Sequence, residues 1–261
     1  MGEGLTSAAP ARLPARVRRE WAALAAPAGG AAPLEPARLE GLPGPVRRWL
    51  ARAIDPGTPL ARSAVLGMRG EILLGRWRPF RARQVLAPGA GYVWAAAAGR
   101  RPAVVGGYDR LVGEAGEMRW RLLGLVPVMA ASGPDLARSA AGRLAGEMIL
   151  CPSSALGPGV RWSGLDDRRA VAEVRHGPWT HRLTLEVDEA GRPVAATLPR
   201  WGRPAGGAYA EHPFGAVFEG DLRAGGHTIP ARVRAGWWPG QERWATGGEF
   251  FRAVIEEARF R

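Results

Sequence analysis

The chain has 261 residues, of which 36 are basic and 24 are acidic, so its formal net charge is +12. Every basic residue is an arginine, and the sequence contains neither lysine nor asparagine. These gaps exclude a Schiff-base lysine, a pyridoxal phosphate anchor, a phosphate-loop lysine and N-glycosylation. With 46% hydrophobic and 23% charged residues, the composition is typical of a globular chain.

The single cysteine, Cys151, excludes an intramolecular disulfide and a multi-cysteine metal site. The N-terminal segment is basic, but it lacks the Leu/Val-rich run of a secretory signal peptide. No stretch approaches about 18 consecutive apolar residues, so we expect no membrane-spanning helix. Together these features predict a cytoplasmic protein.

The positive charge is concentrated in residues 1–110, which contain 17 arginines and 7 acidic residues. A basic N-terminal part could bind an anionic membrane surface or a nucleic acid. No zinc-finger, helix-turn-helix or RNA-binding aromatic signature accompanies the arginines, which counts against nucleic acid. Arginine as the only available cation in a compositionally biased chain is the other explanation of the charge.

Two helices are predicted before residue 60. Residues 1–14 have the composition of a flexible leader, and an apolar stripe predicts an amphipathic helix between Pro14 and Ala25. After an Ala/Gly/Pro-rich linker, a second helix is predicted from Pro45 to Ile54, where proline suits the first turn. We therefore expect a leader and first helix in residues 1–35 and a single domain in residues 36–261.

After residue 60 the apolar period changes to about two, which predicts strands. A four-residue apolar spacing between Ser132 and Leu150 predicts a central helix, and the tail from Glu249 to Phe260 fits a strand or a helix. The predicted strands are Ser63–Leu74, Phe80–Leu86, Tyr92–Ala98, Ala103–Tyr108, Met118–Leu125, Val160–Trp162, Ala170–Arg175, Trp179–Val187, Pro193–Leu198, Ala216–Leu222 and His227–Trp237. The alternation predicts a β-dominated α+β fold, a large curved antiparallel sheet with two N-terminal helices and one central helix.

Several short motifs follow one another between residues 42 and 261. They are Trp77-Arg78-Pro79-Phe80, Gly91-Tyr92-Val93-Trp94, Tyr108-Asp109, Gly113 to Met118, Arg143 to Glu147, Trp162, Gly226 to Pro230 and Trp237. Their order resembles an uncharacterised bacterial family known only as a domain of unknown function. The chain departs from that family at Ile149-Leu150-Cys151, where an aromatic residue usually precedes the proline.

The strand–helix–strand pattern, with a helix that ends in Glu147 and a following Pro-Ser-Ser-Ala-Leu segment, also resembles LolA- and LppX-type lipoprotein carriers. That resemblance implies a half-barrel whose concave face, closed by helices, holds acyl chains. Fold-level likeness does not establish function. The chain departs from these carriers because it has no recognisable secretory signal.

The richest candidate site consists of tryptophans on predicted strands. Eleven tryptophans are present, and they could line an apolar cavity or form an ordinary core. Glu147, which lies between apolar helix positions, needs a partner such as Arg119 or Arg121 if it is buried. The predicted ligand-binding residues are Trp94, Trp120, Trp162, Glu147, Met148 and Trp237.

Other polar residues have a chemical and a structural interpretation. Asp109 could act in a site or cap a turn. His176 and His181 could bind zinc or be exposed hairpin residues, and the sequence offers no third ligand at close spacing. His212 and His227 could be general bases, but neither has a recognisable nucleophile beside it. Cys151 follows a helix, a position that favours a buried structural thiol over a nucleophile.

The G-x-S-x-G elbow and the dinucleotide-binding fingerprint are both absent from the sequence. We therefore predict no catalytic residue, metal or cofactor, and we expect a protein that binds a hydrophobic or lipid-like small molecule in an apolar cavity. An enzyme that uses Glu147, Asp109 or His212 as an acid or base in the same cavity is the alternative. A peripheral membrane or interaction module acting through the basic N-terminal helices is a third hypothesis. The oligomeric state is left open.

Overall fold

The computed structural model describes residues 8–10, 12–27, 29–204 and 206–261. Its helices in these residues are α1 (Ala15–Leu24), α2 (Gly44–Ala53) and α3 (Pro134–Glu147). Short helical turns span Pro36–Leu39, Met148–Leu150, Pro152–Leu156 and Trp244–Gly248. The strands are β1 (Ala64–Leu74), β2 (Arg76–Ala87), β3 (Gly91–Ala98), β4 (Val105–Val112), β5 (Ala115–Leu122), β6 (Val126–Ser132), β7 (Val160–Gly164), β8 (Arg169–His176), β9 (Trp179–Val187), β10 (Pro193–Gly202), β11 (Ala210–Ala224), β12 (His227–Trp237) and β13 (Glu249–Phe260).

All of these strands belong to one antiparallel sheet in the order β6-β5-β4-β3-β2-β1-β13-β12-β11-β10-β9-β8-β7. The two halves of the chain join where β1 pairs with β13, with Ala64 opposite Phe260. The sheet curls, and α3 crosses its concave face to contact β3–β6 on one side and β8–β10 on the other. The predicted curved antiparallel half-barrel is confirmed.

Chain neighbours are sheet neighbours, so the turns alternate between the two ends of the sheet. The turns after β1, β3, β5, β8, β10 and β12 therefore lie along one edge of the sheet, and the curl brings the turn after β8 against the turn after β4. We call the other five turns the hairpin end; their described residues are Gly75, 99–104, 123–125, 203–204, 206–209 and 238–248. At the opposite end, α2 packs against the sheet: the Arg48 guanidinium donates to the Asp167 carbonyl, and Ile54 bridges to His227. We call this the closed end.

Helix α1 packs on the convex face of the sheet, as its apolar stripe requires. Val17 and Trp21 are fully buried against Val65, Val85 and Val93, which point outward from β1, β2 and β3. The predicted first helix is confirmed and belongs to the core of the convex face. Residues 1–7 and Ala11 of the predicted leader lie outside the described residues, and the domain boundary at residue 35 stays a prediction.

The concave face holds the larger core, which is solid toward the closed end. Trp49 and Leu50 of α2 are buried there with Met148, Ile149 and Leu66. Burial of several large side chains of this kind, at about 1.5–3 kcal/mol each, makes this end the stable base of the fold.

Two strands show why the pattern was hard to interpret. In β13 the register shifts opposite Gly67 and Met68, which interrupts the two-residue alternation. The inward-facing residues Ile255 and Ala258 are therefore three positions apart, a spacing that also fits a helix. Strand β6 was not predicted, because every residue in it is exposed and no burial period exists. The predicted strand to Leu125 in fact ends at Leu122, where Leu123 and Gly124 turn with positive φ.

Candidate functional site

A group of polar side chains lies on the concave face beside α3. The Asp109 carboxylate on β4 accepts a hydrogen bond from the Trp120 indole Nε1 at 2.8 Å. Arg143 on α3 approaches the same carboxylate, with 3.5 Å between Nη1 and Oδ2. Asp109 lies inside β4 rather than at its end, so the turn-capping interpretation is wrong.

Glu147 lies one helical turn after Arg143 and binds it directly. The Arg143 Nε donates to Glu147 Oε1 at 2.7 Å, and the Gln84 side-chain amide donates to Oε2 at 2.5 Å. We call Gln84, Asp109, Arg143 and Glu147 the polar cluster. The side chains of Asp109, Arg143 and Glu147 are 16%, 18% and 21% exposed, so solvent still reaches them on the concave face.

The prediction that Arg119 or Arg121 pairs with Glu147 is wrong. They flank Trp120 along β5, and alternate residues of a strand point to opposite faces. Because Trp120 points into the concave face, both arginines point out of it, and Arg119 pairs instead with Glu117.

Arg143 is the one cation of the polar cluster and faces two carboxylates. Burial opposes its charge, but the carboxylates of Glu147 and Asp109 outweigh burial and raise the pKa of Arg143. Burial raises the pKa of Asp109, against the effect of Arg143, and raises that of Tyr92 to about 12. The guanidinium carbon also lies 4.5 Å from the Tyr92 ring centre. The cluster therefore holds one cation between two carboxylates, with no positive charge left over.

Aromatic rings surround this cluster on strands β2, β3, β5 and β13. The Trp94 ring centre lies 5.7 Å from Phe80, 5.6 Å from Trp120 and 6.1 Å from Phe251. Trp120 lies over Gly107, where an added Cβ would come within 2.8 Å of the indole. The buried Trp94 Nε1 makes no hydrogen bond with the described residues. This aromatic group thus combines the partly exposed rings of Trp120 and Phe251 with an indole N–H donor on Trp94.

A second aromatic group on β11 and β12 holds another arginine. Arg200 on β10 lies over Phe214, with its guanidinium carbon 4.4 Å from the ring centre, and 5.4 Å from that of Trp237. Its Nε donates to the Ser139 carbonyl at 3.0 Å. Among the described residues, no carboxylate forms an ion pair with Arg200, and burial lowers its pKa to about 10. We call the concave surface formed by the polar cluster, Arg200 and these two aromatic groups the recess.

A family comparison bears on this arrangement. A family model described as a family of unknown function (DUF6544) matches residues 32–248. The chain belongs to this family. The predicted membership of an uncharacterised family is confirmed, and the DUF6544 match contains every residue of the recess except Phe251.

Solved structures similar to this DUF6544 chain include two bacterial proteins. The LolA superfamily protein NE2245 of Nitrosomonas europaea is 13% identical, with a TM-score of 0.45 over 83% of this chain and 92% of that one. A putative outer membrane lipoprotein-sorting protein domain of Vibrio parahaemolyticus is 12% identical, with a TM-score of 0.41 over 76% of this chain and 85% of that one. No curated protein matches the chain.

The structure brings together four of the six predicted ligand-binding residues. Trp94, Trp120, Glu147 and Trp237 all contribute to the recess. Met148 is fully buried in the closed-end core and faces no open surface. Trp162 lies edge-on to Trp49 at 6.1 Å and donates to the Ala155 carbonyl, at the closed end.

Arg143 and Arg200 are the residues that sequence reasoning missed. Arg200 lies on the same face of β10 as the buried residues Ala196 and Leu198. An arginine at a position where the alternation predicts an apolar residue was the signal that could have identified it. Arg143 precedes Glu147 by four residues, which is the ordinary spacing of a helical ion pair. Neither signal alone shows that the two arginines approach one surface.

The histidines next to the β8–β9 turn are buried, so their predicted exposure is wrong. The His176 Nε2 donates to the Gly113 carbonyl at 2.7 Å, which ties this turn to the one after β4. Burial lowers the pKa of His181 to about 4. Across the described ranges, no three His, Cys, Asp or Glu side chains are grouped as metal ligands would be.

The remaining candidates are His227, Cys151 and His212, and their contacts are as follows. His227 stacks on Phe260 at 4.2 Å and shares a hydrogen bond with Ser153. Cys151 is fully buried, and burial raises its pKa to about 12, which confirms a structural thiol. His212 pairs across the sheet with Arg200, at the margin of the recess. Its role as a base, and the enzyme hypothesis with it, stay predictions.

One surface cleft is explained by the attachment of α1. This cleft, about 590 Å³, lies between α1, the turn after β4 and the start of α3. The Glu117 carboxylate inside it is bound by Arg16, Arg110 and Arg119, and these contacts lower its pKa to about 2 despite burial. A second cleft, about 280 Å³, lies beside Trp162.

No helix in the described ranges has the length and apolarity needed to cross a bilayer.

Proposed function

We propose that the recess binds an amphipathic small molecule with an apolar tail and an acidic head group. The observation that carries this proposal is Arg200, a cation on an aromatic surface with no carboxylate partner among the described residues. Fatty acids and other single-chain lipids with a carboxylate or phosphate head have the required chemistry.

Arg200 differs from Arg143 in how its charge is compensated. Arg143 is held by two carboxylates, whereas Arg200 contacts one carbonyl oxygen and two aromatic faces. Removing a cation from water costs several kcal/mol unless it is paired, and cation–π contacts return only about 0.5–2 kcal/mol. An anionic head group would supply the missing partner and form charge-assisted hydrogen bonds with the guanidinium.

The apolar tail would lie along the aromatic residues of the recess. Trp120 and Phe251 are partly buried members of a continuous apolar surface that includes the fully covered Phe80 and Trp94. Ligand sites are mostly apolar, with a few polar groups that fix orientation. The polar cluster, in which Arg143 lies between two carboxylates, would contact the tail near its head.

Calorimetric titration with dodecanoic acid and dodecan-1-ol tests this function. We expect the acid to bind the wild-type protein about tenfold to a hundredfold more tightly than the alcohol, the range for hydrogen bonds to a charged group. In Arg200→Met the preference for the acid should disappear while binding of the alcohol is retained, since methionine preserves the apolar stem.

Arg138→Met is the matched control for this titration. Arg138 is also a cation stacked on a ring, 3.9 Å from the Trp201 ring centre, but it pairs with Glu211 and lies outside the recess. It should keep the wild-type preference. Equal affinity for acid and alcohol in the wild-type protein, or loss of the preference in both variants, would contradict the proposal.

A further inference from the structure

The hairpin end carries a cluster of exposed apolar side chains. Leu123, Leu125 and Val126 are 59%, 76% and 58% exposed in and beside the turn after β5, and Val128 and Met129 continue the surface along β6. Leu74, beside the turn after β1, is also exposed. Exposed apolar surface of this extent on a folded chain marks a contact site for a membrane or another protein.

Arginines surround these apolar residues. The turn segments that define the hairpin end, with their flanking positions, carry Arg76, Arg100, Arg101, Arg203 and Arg243 against two acidic residues, Glu242 and Glu249. All five arginines are exposed. Arg100 and Arg101 lie in the turn after β3, whose Val104 carbonyl accepts a hydrogen bond from the Leu123 backbone. The turns after β1, β3 and β5 are successive turns along this edge of the sheet, so their basic and apolar groups belong to one surface, which we call the rim.

We propose that the rim docks onto the surface of an anionic lipid bilayer. Leucines that enter the interface and arginines that bind lipid phosphates are the two contributions by which proteins bind anionic membranes. A second copy of this chain is a poorer partner, because a twofold contact would bring the rim arginines of one copy against those of the other. The apolar stripe of α1 is packed on the convex face, so this proposal places the membrane contact at the rim rather than at the N-terminal helices.

Docking in this orientation points the hairpin end toward the lipid. The recess lies on the concave face between the closed end and this rim. A molecule held at Arg200 could then move between the bilayer and the recess without crossing bulk water. The docking itself depends only on rim residues and does not require that the recess holds a ligand.

Vesicle flotation with the full chain tests the rim. We expect binding to vesicles of phosphatidylcholine containing phosphatidylglycerol, much weaker binding to pure phosphatidylcholine, and release at high salt. Arg100→Gln with Arg101→Gln should weaken binding about thirtyfold, from a contribution of roughly fivefold per arginine near an anionic surface. Leu123→Ser with Leu125→Ser should weaken it at least about tenfold.

Matched controls use exposed residues of β7, β8 and the turn after β7, which are not part of the rim. Arg161→Gln with Arg175→Gln removes the same charge from β7 and β8, and Leu165→Ser removes an exposed leucine from the turn after β7. Both should float like the wild-type protein, and so should Arg200→Met. The rim variants should keep the dodecanoic acid preference, so a failure of docking and a failure of recess binding would be told apart.

Three results would overturn the docking proposal. They are equal binding to neutral and anionic vesicles, equal losses in rim and control variants, and a dimer in solution that Leu123→Ser with Leu125→Ser converts to a monomer. The last result would assign the rim to self-association.

Discussion

At the scale of single residues, the concave face carries charge where the strand pattern leads one to expect apolar side chains. Asp109 and Arg200 both lie in the inward phase of their strands, each beside buried apolar neighbours. Sequence reasoning identified Asp109 and Glu147 as candidates because each interrupts an apolar pattern. It could not assign their partners, because Arg143 meets Asp109 only once α3 lies across the sheet.

Replacement of Asp109 tests the structural role of the polar cluster. Asp109→Ala removes the acceptor for the Trp120 indole and one of the two carboxylates at Arg143. An unsatisfied buried donor costs about 1–3 kcal/mol, so we expect a loss of that size in the free energy of unfolding, measured by urea titration. Asp167→Ala, at an exposed turn, is the control and should change it little. Equal effects of the two substitutions would show that Asp109 makes no such contribution.

Cys151 provides a second test at this scale. Its thiol is fully buried, and its pKa of about 12 leaves almost no thiolate at mildly alkaline pH. We expect no reaction with a disulfide reagent in the native protein and one reactive thiol in guanidinium chloride. Fast labelling of the native protein would mean that this part of the closed end opens or is packed differently.

At the scale of elements, α1 is held on the convex face by both packing and charge. Its own residues Val17 and Trp21 are buried against the sheet, and Arg16 extends to Glu117, which also binds Arg110 and Arg119. The amphipathic stripe predicted the helix and its buried face. The ion network was not predictable, because it joins residues about 100 positions apart through the curl of the sheet.

This network predicts acid sensitivity. The folded-state pKa of Glu117 is about 2, below its ordinary 4.5, so its contribution is fully present above about pH 4.5 and is lost as pH falls toward 2. Glu117→Gln should therefore lower the free energy of unfolding by roughly 2–3 kcal/mol near neutral pH and by much less near pH 2.5. Urea titrations at both pH values, with Glu189→Gln as an exposed control, measure the difference. A loss of the same size at both would contradict the ionic explanation.

Strands β6 and β13 could not be predicted with certainty from the pattern of apolar residues. A strand pattern is visible when one face is buried and the register is regular. Strand β6 is exposed on both faces, and β13 contains a register shift, so each lacks one of these conditions. The exposed β6 nevertheless supplies Val128 and Met129 to the rim, which is a property that burial patterns cannot reveal.

At the scale of the whole molecule, the two ends of the sheet differ: α2 packs against the closed end, and the hairpin end carries exposed apolar and basic residues. The alternation of the strands predicted a single curved antiparallel sheet, and the structure confirms it. The tryptophan count favoured an apolar site without locating it. Only the folded arrangement separates Met148 and Trp162, at the closed end, from Trp94, Trp120 and Trp237 in the recess. Both proposals follow from this asymmetry, since the recess and the rim lie toward the same end.

The most direct measurement of the central claim is a crystal structure of the protein with a bromine-labelled fatty acid. The account predicts bromine anomalous scattering beside Trp120 or Phe251, with the ligand carboxylate within hydrogen-bonding distance of the Arg200 guanidinium. Bromine in the cleft beside Arg16, or a carboxylate bound away from Arg200, would contradict it.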